Sequence, residues 1–101
     1  MPTSTIPVTF DVDAQVRLDK FGCHREFEQM IEHAAEAIPD LKKIVVTAPY
    51  NEVLGPDQQI VIEAYVPDAR SLAPEREFNF WVFENIPREA ATRFVFMTVE
   101  G

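Results

Sequence analysis

The chain has 101 residues, 47% of them hydrophobic and 26% charged, and its 17 acids against 9 bases give a formal net charge of -8. That length suits one domain with a single hydrophobic core, and the composition is that of a globular rather than a disordered chain. The charge argues against a nonspecific nucleic-acid binder, whose affinity comes from neutralising phosphates, and against an anionic membrane surface.

Residues 6 to 18, IPVTFDVDAQVRL, alternate apolar with polar side chains. Ile6, Val8, Phe10, Val12, Ala14, Val16 and Leu18 share one face, and Thr9, Asp11, Asp13, Gln15 and Arg17 the other. The period of two predicts a long, half-exposed strand. The period then changes. Phe27, Met30, Ile31, Ala34, Ala37 and Ile38 recur at spacings of three and four, with Glu28, Glu32 and Glu36 on a polar face, which predicts a helix stopped by Pro39. Its start is ambiguous between a cap at Asp19 and one at Gly22. After Leu41 every signal is that of a strand. KKIVVTAPY is short and β-branched, NEVLGPDQQ is a turn, and IVIEAYV follows with Ile60, Ile62, Ala64 and Val66 on one face. A loop, PDARSLAPE, leads to EFNFWVFEN, then a turn at NIPREAA and a last strand, TRFVFMTVE. The expected fold is α+β in the order β-α-β-β-β-β, one helix packed on a curved antiparallel sheet. A second short helix within residues 68 to 76 would move it toward a ferredoxin-like arrangement.

One helix covers only one face of such a sheet. Ile60, Ile62, Ala64 and Val66 would meet it, joined by Val95, Met97 and Val99 of the last strand. That leaves Tyr65, Trp81, Phe83, Phe94 and Phe96 on the far face, with Glu63 among them. Five aromatics of roughly 150–250 Å² each exceed the apolar patch a monomer usually exposes. The expected occupant of this face is a second copy of the chain, with a dimer favoured because symmetric dimers are the commonest oligomers. A partner protein, a small apolar ligand, or the chain's own long loops folding back are the other candidates.

Catalytic signals are sparse, and the balance leans away from an enzyme. Glu63 beside Tyr65 could act as a desolvated general acid or base, but a Glu that breaks up an apolar surface is the commoner situation. Cys23 falls on the apolar stripe of the helix as a small buried hydrophobe, although a helix N-terminus would lower its thiol pKa. His24 and Glu28 supply two ligands where zinc needs three or four, so no metal and no cofactor are expected. Asp11, Asp13, Glu28, Glu32 and Glu36 could imitate a nucleic-acid backbone, though such a run is more often a solvated surface. The N-terminal segment lacks a signal-peptide pattern, the apolar runs are too short to span a bilayer, and a lone Cys23 makes no internal disulfide. These features together predict a cytoplasmic protein.

The strand-helix-strands order, with NEVLG at residues 51 to 55 and Ile86-Pro87 in the later turn, resembles the cystatin fold. Asn51 stands where that family's hairpin motif has Gln, and MPTSTIP lacks the family's N-terminal glycine. The resemblance implies a helix lying across an antiparallel sheet and, more remotely, inhibition of cysteine proteases.

Overall fold

A computed structural model of the chain describes residues 6–38, 40–48, 59–71 and 73–101. Within them the order is β1 (Val8–Phe10), α1 (Val12–Phe21), α2 (His24–Ala37), β2 (Lys43–Thr47), β3 (Ile60–Val66), α3 (Ala73–Asn85), α4 (Arg88–Ala91) and β4 (Phe94–Glu100). The fold is α+β, built on a four-stranded mixed sheet in the order β1-β2-β3-β4. β1 is parallel to β2, β3 is parallel to β4, and β2 and β3 are antiparallel. Parallel neighbours need a crossover, and each is made by two helices.

This replaces the expected β-α-β-β-β-β order and with it the cystatin-like topology. The NEVLG segment lies outside the described residues. Pro87 precedes the single turn of α4 instead of turning a hairpin. A ferredoxin-like sheet does not result either, because its parallel pairs are split by another strand and these are direct neighbours.

The first correction is local. The strand expected over residues 6 to 18 is three residues of β1 followed by α1. Asp11, read as an outward strand charge, is the N-cap of α1, and its Oδ1 accepts the Asp13 backbone N–H at 3.2 Å. Gly22 ends the helix in the left-handed region at φ 69°, donating its N–H to the Leu18 carbonyl, a C-cap that glycine forms without steric cost. Alternation alone could not separate the two readings, because Ala14 and Leu18 are also spaced for one helical face. They are the buried pair, and Val12 and Val16 are left exposed.

α2 follows the sequence expectation. Phe27, Met30, Ala34 and Ile38 are buried, and Ile38 is already extended at φ -95° and ψ 113°, as a residue before proline should be. Its start differs from both candidate caps, since Cys23 is the N-cap residue.

The largest correction concerns residues 77 to 85. The expected strand is the body of α3, which begins at Ala73 with Pro74 and Glu75 in its first turn, both residue types that suit a helix start. At the helical period Phe78, Trp81 and Val82 turn toward the core, while Phe80 and Phe83 turn to solvent. Phe78 is 1% exposed and stacks on Phe96 with ring centroids 3.9 Å apart.

β4 is a strand as expected, but with its faces exchanged. Phe94 and Phe96 are buried, and Val95, Met97 and Val99 lie on the opposite side. The parallel register aligns Phe94 with Ile60 and Phe96 with Ile62, and a shift of one residue would invert every side chain. Thr98 is on the buried side of β4 with Phe94 and Phe96, beneath α3. Its backbone N–H donates to Glu75 Oε1 at 3.1 Å.

The buried residues form one cluster between sheet and helices. Ile44, Val46, Ile60, Ile62, Ala64, Val66, Phe94 and Phe96 face it from the strands. Phe27 of α2 lies between Phe10 of β1 and Phe94 of β4, 5.0 and 6.0 Å away, so one side chain links the two edge strands. The helices share this face of the sheet.

Candidate functional site

The aromatic face assembled from sequence does not exist as one surface. Phe94 and Phe96 belong to the core, and Tyr65 lies on the open face of the sheet. Trp81 is half-buried in the helix layer, and Phe83 points outward from α3. The structure therefore offers two apolar surfaces where the sequence suggested one.

The first is the open side of the sheet. The register aligns its side chains in cross-strand rows: Thr9, Val45, Glu63 and Met97; Thr47, Val61 and Val95; and Lys43, Tyr65 and Val99. Most are half-buried, and Met97 is 36% exposed. One acid and one base stand among them. Glu63 has no hydrogen-bond or ion-pair partner among the described residues. Lys43 Nζ lies 4.7 Å from the centroid of the Tyr65 ring, a cation–π contact. Tyr65 also lies against the backbone of Gly101, where an added Cβ would approach Cδ2 to 2.6 Å.

The second surface is the outer side of α3, where Phe80 is 68% and Phe83 80% exposed. Two hollows adjoin it. One is a shallow, open depression on the face of α3, lined by Arg76, Asn79, Phe80 and Phe83. The other, about 410 Å³, lies between α3 and α4 and is lined by Val82, Phe83, Ile86, Arg88 and Ala91 among others.

A pocket holding Glu63 and walled by Trp81 and Phe83 would favour catalysis by Glu63 and Tyr65, and none forms among the described residues. Trp81 and Phe83 lie on the helix side of the sheet and the carboxylate on the other, so the walls and the acid are separated by a layer of backbone. Neither Glu63 nor Tyr65 lines the hollows beside α3, or the smaller one near Ile38 and Pro74.

The candidate nucleophile and ligands are also dispersed. Cys23 is buried with its thiol 3.5 Å from the Phe21 carbonyl. Burial and the nearby Glu26 raise the thiol pKa, and the Arg93 guanidinium offsets only part of this. A lowering by the helix N-terminus is not what results. His24 Nε2 lies 2.6 Å from Asp19 Oδ1, engaged with a carboxylate of the preceding helix. Among the described residues no three His, Cys, Asp or Glu side chains converge as metal ligands. Of the five acids considered as a nucleic-acid mimic, Asp11 and Asp13 stand at the start of α1 and not on a strand, while Glu28, Glu32 and Glu36 lie on α2. No helix of the described residues is long and apolar enough to cross a membrane.

Sequence inspection missed the pairing of His33 with Trp81. Their rings stack at 4.0 Å with planes 6° apart, joining α2 to α3. Burial lowers the His33 pKa from the ordinary 6.5, against an upward pull from Glu36. The sign is therefore set. The neutral ring contributes stability that is present above the ordinary value and lost as the pH falls through the lowered folded value. Trp81 is the sole tryptophan and reports on this directly. Its fluorescence should change with a midpoint below pH 6.5, and His33→Gln should abolish the transition. A midpoint at or above the ordinary histidine value would contradict the burial argument. The signal available in the sequence was a histidine on the inner flank of α2, but its partner lay on a segment read as a strand.

The chain matches no protein-family model, no curated protein and no solved structure.

Proposed function

We propose that this chain is a small non-catalytic binding module that self-associates as a symmetric dimer through the open face of its sheet. One observation carries the proposal: the helices share one side of the sheet, and Val45, Val61, Val95, Met97 and Val99 occupy the other.

Strands about 4.8 Å apart and about 3.3 Å per residue give this face a flat footprint of roughly 350 Å². Two such faces, with the relief of their side chains added, come to about the 1,000 Å² at which specific interfaces begin. The charge balance supports the same partner. Two chains of net charge -8 repel each other, but this face carries one acid, Glu63, and one base, Lys43. In a two-fold contact each residue meets its symmetry-related surroundings, so Glu63 of one copy can face Lys43 of the other. Tyr65 retains the interfacial role expected of it from sequence. Phe94 and Phe96 do not, since they are buried on the other side.

The test is oligomeric state. Wild-type protein at tens of micromolar should sediment as a dimer, in line with ordinary interface affinities. Val61→Lys, on the inner strand β3 of the face, should weaken association at least ~30-fold, the equivalent of a ~2 kcal/mol hot spot, while preserving the circular dichroism spectrum. A wild-type monomer at several hundred micromolar would refute the proposal. So would a dimer indifferent to Val61→Lys.

A further inference from the structure

The outer side of α3 is independent of the sheet face and calls for a separate explanation. Phe80 and Phe83 stand one helical turn apart and together expose roughly 300 Å² of aromatic surface, about as much as the largest apolar patch of a typical monomer. They contribute little to the helix that carries them, since phenylalanine is a poorer helix former than the Ala, Glu or Lys that solvent-facing positions accept. They do not reach the core cluster either, which α3 meets through Phe78, Trp81 and Val82.

The linings of the two hollows, unlike the chain as a whole, are basic. The protein carries nearly twice as many acids as bases, yet the described walls of the two hollows hold Arg76 and Arg88 and no acid. Neither arginine forms an ion pair with a described residue. Glu77 and Glu84 are on α3 as well, but they flank Phe80 on the side away from both hollows. Phe83 and Asn79 line both hollows, and Phe83 projects from the helix, 80% exposed.

We infer that this surface docks an acidic peptide segment of a partner protein, with apolar side chains entering the hollows beside Phe83 and carboxylates meeting Arg76 and Arg88. A guanidinium with no partner can take a carboxylate through two parallel hydrogen bonds. A small molecule fits less well, because tight ligands bury most of their surface in a concave site and Phe83 is a projection. A segment that passes over the ring can use both hollows, as peptides do when they place successive anchors in a groove. Nucleic acid is disfavoured because its affinity rests on neutralising a run of phosphates, for which two arginines are too few.

The probe is a phage-displayed library of random twelve-residue peptides, panned on the full chain and, in parallel, on Phe83→Ser. Phe83 is exposed, so that variant should keep the wild-type circular dichroism spectrum and melting temperature. Peptides enriched on wild type should combine at least two Asp or Glu residues with aromatic or aliphatic ones. By fluorescence anisotropy, the best of them should lose at least tenfold in affinity on Phe83→Ser and several-fold on Arg88→Glu, and should bind more weakly at higher salt. No enrichment over the Phe83→Ser bait, enrichment of basic or uncharged sequences, or affinity unaffected by Phe83→Ser would each overturn the inference. A drop in the sedimentation coefficient of Phe83→Ser alone would overturn it too, by showing that a second copy covers this surface.

Discussion

Phe78→Ala should lower the stability of the fold by about 3–5 kcal/mol, the usual cost of emptying a fully buried aromatic site. Phe80→Ala should stay within about 0.5 kcal/mol of wild type, as surface substitutions do. The contrast tests the central structural correction. In a strand, residues 78 and 80 share a face and should respond alike. In a helix they lie about 160° apart, and here one is 1% exposed and the other 68%. Phe78 also gives up its stack with Phe96 at 3.9 Å, for which α3 and β4 have no substitute. Replacing Phe80 trades an aromatic for the best helix former. Urea denaturation of the two variants would decide the matter. Similar midpoints would return residues 77 to 85 to a strand. For a chain of this size the loss expected at Phe78 would lower the melting temperature by roughly 12–40 °C.

Trp81→Ala should cost about 2 kcal/mol of fold stability without changing the oligomeric state. The ring is half-buried, so the loss falls below that of a fully buried aromatic, and it includes the stack on His33. The sequence had placed Trp81 on the association surface, where its loss would act on assembly before folding. Its place between α2 and α3 reverses that order. Thermal melts and sedimentation of the same sample separate the two effects. An unchanged melting temperature with a smaller species would put Trp81 back at an interface. A double-mutant cycle with His33→Ala should show coupling of about 0.5–1.5 kcal/mol, the range for paired rings.

Much of the candidate site was visible in the sequence, but it was assigned to the wrong surfaces. The EFNFWVFEN stretch does carry one apolar face too many, and that excess points to a surface awaiting a partner. The period is ambiguous because six residues from Phe78 to Phe83 contain four aromatics and a valine, a run that satisfies both two-residue alternation and a helical stripe. Start signals could have decided it. Pro74 and Glu75 before the aromatics, and Asp11 with Gly22 around residues 12 to 21, are the residues that open and close helices.

The sequence by itself determined the α+β class, the face of α2 that is buried, its end before Pro39, and the inward side of β3. Each follows from a strong single period with little competition, so the local pattern and the global fold agree. The facing of β4 and the parallel pairings were decided only in the tertiary structure. Phe94 and Phe96 turn inward because Ile60 and Ile62 align with them, Phe27 packs against Phe94 and Phe78 stacks on Phe96. Glu75 reaches the backbone of Thr98 across 23 residues of chain. A strand with apolar residues on both faces has no preferred side of its own. Its neighbours choose the side, and they are far away in the chain.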